Sequence, residues 1–302
     1  MIMKKKMLMI YNPSAGTGKI KEHLSDIIEL FSTAGYKITI YATRKNSNII
    51  QDVIDFLEND KFDKIVCSGG DGTLNQVIGG IIMSGKEPIL GYIPAGTTND
   101  FAYNLGVSKN KIQAAKVAIA GEPFKSDIGL LGKRLFTYVA AFGMFTDVSY
   151  ETVQTTKNLL GRMAYILEGI KRLPSSLKAY EMKLIYGDTK ISGEFIFGMV
   201  SNSNSVAGFK GLTAKGVLLN DGCFEGVFIR RPKNIMEIQE IINGLLASKL
   251  ESDLIVSLPV EKLQIVSSEA VPWTVDGEYG GEYKAVEIQV KKEAFTIMRN
   301  QK

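Results

Sequence analysis

A chain of 302 residues with 45% hydrophobic and 23% charged residues is long enough for two domains, each with its own core, and has the composition of an ordinary globular protein. A net charge of +4 is too mild for a dedicated nucleic-acid binder, yet compatible with visiting an anionic membrane surface. Cys67 and Cys223 lie at no metal-ligand spacing, which points to a reducing compartment, and no stretch approaches the ~20 apolar residues that span a bilayer, so the expectation is a soluble cytoplasmic protein for which any membrane contact is peripheral.

Lys4-Lys5-Lys6 precedes the apolar run Met7-Leu8-Met9-Ile10-Tyr11, which is too short for a signal peptide and is ended by Asn12-Pro13. It reads as the first strand of a parallel sheet. Asn12 to Lys19 is then a glycine-containing turn into a helix that carries Leu24, Ile27, Ile28 and Phe31. Gly18-Lys19 imitates a P-loop, but Pro13 stands where its first glycine belongs and Ile20 replaces the Ser/Thr, so the pattern fails. His23, the single histidine, falls on the polar side of that helix beside Lys21 and Glu22, which removes mechanisms that need a histidine base.

Tyr36 to Tyr41 alternates as a second strand, Ile49 to Leu57 reads as a helix, and Asp63 to Ser68 as a buried strand. Gly69-Gly70-Asp71-Gly72-Thr73-Leu74-Asn75 follows. Leu74, Val77, Ile78 and Ile81 fall at helical spacing, so the glycines form a strand-to-helix turn. Such a turn lets backbone N–H groups approach a phosphate, and the helix N-terminus adds favourable partial charge. Asp71 repels phosphate unless a cation or a proton-donating hydroxyl is present too, and Mg²⁺ shared with nucleotide phosphates would resolve the conflict; an ordinary turn with an aspartate cap is the alternative. Ile89 to Ile93 is another buried strand, leading into the loop Pro94 to Asp100 and a helix from Asp100 through Leu105. Thr97 and Thr98 can donate to phosphate, while Asp100 is either a helix cap or a partner of Asp71 in positioning Mg²⁺ and an acceptor hydroxyl. The alternation predicts a doubly wound α/β domain over residues 1–124, its loops gathered at one sheet edge.

Composition changes near Glu122-Pro123. Short alternating runs follow at Ile128–Leu131, Leu135–Ala141, Tyr180–Tyr186, Glu194–Val200, Val227–Arg230, Leu254–Leu258, Lys262–Val266 and Ala285–Val290, which predicts a mainly antiparallel β-sandwich over residues 125–293. Helices are expected at Leu159–Leu173, whose basic amphipathic face suits a membrane surface or plain packing, and at Ile235–Leu246. Val139 to Phe145 reads either as a wall for acyl chains or as a core strand. Asp221-Gly222 has the chemistry of a hairpin turn, and Asp276-Gly277-Glu278 is also turn-like.

Taken together these segments carry a resemblance. Gly69 to Thr73 is similar to the nucleotide-binding signature shared by diacylglycerol, ceramide and sphingosine kinases, NAD kinases and, more loosely, phosphofructokinases. Pro94 to Ala102 looks like the second signature of the lipid branch. With Asn12 to Gly16 and Asp276 to Glu278 added, the chain resembles the soluble bacterial diacylglycerol kinase family from end to end. The resemblance implies ATP and Mg²⁺, with a lipid alcohol as acceptor. It makes Asn12, Pro13, Ser14, Ala15 and Gly16 a nucleotide-contacting loop and places Thr43 near adenine or ribose. Gly69, Gly70, Gly72, Thr73 and Thr97 would hold phosphate, Asp71 with Asp100 would organise Mg²⁺ and acceptor, and Glu278 would be the general base, strengthened by partial burial, with Asp71 as the alternative base that the sphingosine-kinase resemblance permits. Asp221, with backbone carbonyls at Leu218 and Cys223, would hold a structural Mg²⁺. A terminal strand at Phe295–Met298, within 294–302, would return to the first domain, leaving the nucleotide in a cleft between domains, and a homodimer is suggested. The alternatives are a kinase for a sphingoid base or polyprenol, an NAD kinase, and an idle lipid- or nucleotide-binding protein.

Overall fold

The computed structural model describes residues 5–16, 18–45, 47–97, 99–143, 177–202, 205–206, 209–210, 219–247 and 252–301. The predicted helix at 159–173 lies outside them. The chain separates into two compact units, 1–126 with 293–302, and 127–292.

The first unit runs β1 (Lys5–Tyr11), a 3-10 turn (Lys19–His23), α1 (Leu24–Thr33), β2 (Tyr36–Ala42), α2 (Ile49–Asn59), β3 (Lys64–Gly69), α3 (Asp71–Ser84), β4 (Ile89–Pro94), α4 (Asp100–Asn104) and α5 (Lys111–Ala120). Its strands are parallel in the order β4-β3-β1-β2. The end of the last strand, β15 (Glu278–Arg299), pairs beside β4 through Ile297 and Leu90. Every residue of β3 is buried, the pattern of a parallel strand covered on both faces. Asn48 and Asn110 start α2 and α5 by accepting backbone N–H groups of the first turn.

Helix α5 is absent from the sequence reading because its buried face is alanine: Ala114, Ala115 and Ala118 give little hydrophobic contrast. Their small size is what the packing requires, since a Cβ on Gly91 of β4 would sit 2.6 Å from the Ala118 Cβ. The helix ends on the buried Lys64, whose ammonium donates to the carbonyls of Ala118 (2.5 Å) and Ile119 (3.0 Å), groups that have no partner within the helix. Burial lowers the Lys64 pKa to about 8.

The second unit contains the end of β5 (Glu122–Leu131), then β6 (Arg134–Phe136), β7 (Val139–Gly143), β8 (Tyr180–Tyr186), β9 (Thr189–Ser201), β10 (Ser205–Val206), β11 (Phe209–Lys210), β12 (Phe224–Arg230), α6 (Ile235–Ala247), β13 (Ile255–Val260), β14 (Lys262–Val275) and the first part of β15. The mainly antiparallel pairing expected is found, and the strands other than β10 and β11, which pair with each other, join one large sheet. The long strands β9 and β14 cause this: β8 pairs with the first half of each and β7 with the second half. The predicted run Leu135–Ala141 is broken in two at Thr137 and Tyr138. Of Val139 to Phe145, one candidate for an acyl-chain wall, residues 144 and 145 lie outside the described residues and Val139–Gly143 is core strand: Phe142 is fully buried with its ring centroid 4.9 Å from that of Trp273 and 6.3 Å from Phe228. Each such aromatic contributes roughly 2–3 kcal/mol by burial.

Candidate active site

The geometry starts from strand register. Tyr11 lies opposite Ser68, and Gly69 opposite Pro94, so β1, β3 and β4 end level with one another. The chain steps from β1 outward to β2 and returns to β3 on the other side of β1, which makes the gap between β1 and β3 the switch point where such sheets bind ligands. Backbone hydrogen bonds tie the exits together: Asn12 N–H to Ser68 O and Ala95 N–H to Gly69 O, both 2.8 Å, with Thr43 N–H to Tyr11 O at 2.9 Å. Asn12 to Gly16, Gly69 to Thr73, and Pro94 to Thr97 are thereby brought together on one edge, with the buried Thr43 beside them.

Close backbone approach explains the glycines. A Cβ on Gly96 would lie 2.6 Å from the Gly70 Cα, and one on Gly16 would collide with the Ala95 carbonyl oxygen. Asn12 folds its own loop by accepting Ser14 N–H (2.9 Å) and reaches Thr73 Oγ1 through its side-chain amide (3.3 Å). Pro13 is half-buried, Ser14 exposed and Ala15 buried in that loop. Helix α3 begins at Asp71 behind Gly70, which supplies no capping side chain, so the positive end of a 14-residue helix lies at this edge. Asp71 and Gly72 are half-buried, Thr73 buried and Thr97 exposed. Asp100 is the first residue of α4; its side chain and Thr98 lie outside the described residues. Burial, with the Asp71 charge nearby, pushes the Cys67 thiol far above its usual range, so it is no nucleophile.

Three residues that build this edge carry no role in the sequence reading. Asn99, buried in a left-handed conformation (φ 54), accepts Gly96 N–H (2.9 Å) and donates to Gly96 O (2.7 Å). Tyr92, 1% exposed within β4, places its hydroxyl 3.1 Å from Gly69 O and 3.3 Å from Asn99 Oδ1. Lys111 donates to Pro94 O, and burial lowers its pKa. The signal for Tyr92 was present: a tyrosine in an otherwise aliphatic buried strand must find a partner for its hydroxyl.

In the second unit, Val275 pairs with Glu278 across a two-residue turn in which Asp276 (φ 47) and Gly277 (φ 89) are both left-handed. The Asp276 carboxylate accepts Thr137 N–H (2.7 Å), Thr137 Oγ1–H (3.0 Å), Tyr138 N–H (2.9 Å) and Val139 N–H (2.8 Å). Burial raises its pKa against these four bonds, which favour the ionised form. This grip is what interrupts the predicted strand at Thr137. Glu278 itself is exposed, so the partial burial expected of it is not found.

Asp221 is exposed, and its Oδ1 accepts Cys223 N–H (3.0 Å). Gly222 (φ 89) donates its N–H to the fully buried Asp127 carboxylate (2.7 Å). These are the features of a turn. Burial, and secondarily the Asp221 charge, pushes the Cys223 thiol to about 11. Leu218 lies outside the described residues, and among those described no cluster of three or more His, Cys, Asp or Glu stands ready to hold a metal. No described helix is long and apolar enough to cross a membrane.

Residues 6–131 match the family model of the diacylglycerol kinase catalytic domain. The chain is 31% identical over 299 residues to a diacylglycerol kinase of Bacillus subtilis (strain 168), covering 99% of this chain and 98% of that protein. It is 35% identical over 286 residues to a diacylglycerol kinase of Staphylococcus aureus (strain MRSA252), covering 94% and 89%. Its fold is similar to the crystal structure of a diacylglycerol kinase from Bacillus anthracis str. Sterne, with a TM-score of 0.74, 22% identity, and coverage of 99% and 98%.

Proposed function

We propose, for a chain that belongs to the diacylglycerol kinase family and is a kinase, transfer of the γ-phosphoryl group of ATP to the hydroxyl of diacylglycerol, giving phosphatidic acid. The observation that carries the reading is the convergence of three glycine-containing loops on the β1–β3 switch point, beside the N-terminus of α3, whose cap residue is a glycine. Such a cradle suits a triphosphate, because its walls are backbone and its field is positive.

In this reading the acceptor oxygen forms a new bond to the γ-phosphorus as the bond to the β–γ bridging oxygen breaks. ADP departs, and the hydroxyl proton passes to Glu278. Asn12 to Gly16, Gly69, Gly70, Gly72, Thr73 and Thr97 hold the phosphates, and Thr43 stands by the nucleoside. Asp71 and Asp100 would hold Mg²⁺ together with the nucleotide phosphates, where the ion would neutralise developing charge. Most of the catalysis is then positioning, with one base. Asp276 acts on Glu278 only through the turn it locks. A structural Mg²⁺ at Asp221, with carbonyls of Leu218 and Cys223, belongs to the same reading, as do a substrate met at the membrane surface and a homodimer.

The test is a panel of acceptors with Mg²⁺-ATP: diacylglycerol, a sphingoid base and a polyprenol in mixed micelles, and NAD in solution. ATP consumption that depends on diacylglycerol supports the proposal. Phosphorylation of NAD with none of any lipid alcohol overturns it.

A further inference from the structure

We infer that Tyr92 is a positioning residue for nucleotide binding, coupling two of the phosphate loops into one rigid cradle; this rests on the ATP-binding reading above. The hydroxyl is fully inside unit one, at the end of a strand whose other side chains are aliphatic or glycine. It faces two acceptors on different loops, Gly69 O at 3.1 Å and Asn99 Oδ1 at 3.3 Å, so its proton is shared between the strand exit before Asp71 and the amide that organises Gly96. Asn99 in turn holds Gly96 at both its N–H and its carbonyl. Gly96 leaves no room for a Cβ against Gly70, so any drift of one loop is transmitted to the other. Fixing both loops before the ligand arrives lowers the ordering cost of binding, and its loss weakens affinity for the phosphates while leaving the acceptor lipid unaffected.

The link is removable without dismantling the fold. In Tyr92→Phe, Gly69 O keeps its bond from Ala95 N–H and Asn99 keeps both bonds to Gly96. In Asn99→Gly the left-handed backbone is retained, because glycine adopts positive φ without strain. KM for ATP, KM for short-chain diacylglycerol and kcat are measured for both variants and for the pair combined, with binding of ADP followed by calorimetry and melting temperature by scanning. Each single variant is expected to raise KM for ATP and Kd for ADP about fivefold to tenfold. KM for the lipid is expected to stay unchanged, and the double variant to be little worse than the worse single. A lower melting temperature with unaltered ATP and ADP affinity overturns the inference, as does full additivity of the two changes. Should the parent bind no adenine nucleotide at all, the ATP reading itself falls and this inference with it; an active parent with an indifferent Tyr92→Phe sinks the inference alone.

Discussion

Asp276 takes both donors of Thr137 on one carboxylate oxygen, the backbone N–H at 2.7 Å and the hydroxyl at 3.0 Å. Its other oxygen holds the next two backbone N–H groups, so three consecutive residues are folded around a single side chain. Asp276→Asn keeps the shape but turns one acceptor into a donor facing donors. The expected cost is about 2–3 kcal/mol of stability, together with a fall in kcat as Glu278 loses its register. Urea denaturation checks the first, and a midpoint equal to the parent's would show that the grip is incidental.

Asp71 opens α3 where a negative charge is favoured by the helix, yet its proposed role is toward Mg²⁺ and the acceptor. Asp71→Asn is expected to melt within a few degrees of the parent and to lose turnover by a factor on the order of 10² or more. An unaltered rate at saturating ATP would reduce Asp71 to a turn residue.

Lys64 gives a pH signature. Its folded pKa is lowered to about 8, so between about 8 and its ordinary 10.5 the unfolded chain binds the extra proton. Its contribution to stability is therefore present above the ordinary value and is lost as pH falls through about 8. Stability of the parent relative to Lys64→Met should rise across that window. Parallel pH profiles for the two proteins would contradict it.

Asp221 separates a metal site from a turn. Under the proposal, Asp221→Ala lowers the melting temperature and blunts its rise with added Mg²⁺. If both match the parent, the bond from Cys223 N–H and the left-handed Gly222 account for the segment as a hairpin-like turn.

Much of the first unit is legible in the sequence because its signals are local. Apolar runs ended by glycine-rich turns give β1, β3 and β4, and the glycine loops mark the sheet edge where the candidate site lies. Alanine hides α5, since the helix face that packs closest to Gly91 has the least hydrophobic contrast. The break at Thr137 is invisible because its cause, Asp276, is 139 residues away in sequence. The joining of strands in the second unit is hidden likewise: nothing in the alternation of β9 or β14 says that β7 and β8 share both strands. Tyr92 and Lys111 were missed because each acts on a backbone carbonyl, and carbonyls carry no sequence mark.

The most direct measurement of the central claim uses γ-labelled ATP with Mg²⁺ and diacylglycerol in anionic mixed micelles, comparing the parent with Glu278→Gln. Glu278 is exposed, so the substitution leaves the fold alone, and glutamine keeps the shape while removing the base. The parent is predicted to move the label into phosphatidic acid, and Glu278→Gln to bind ATP normally while kcat falls roughly 10²–10⁴-fold. Label that stays out of the lipid with the parent enzyme, or equal kcat in the two proteins, would contradict the account.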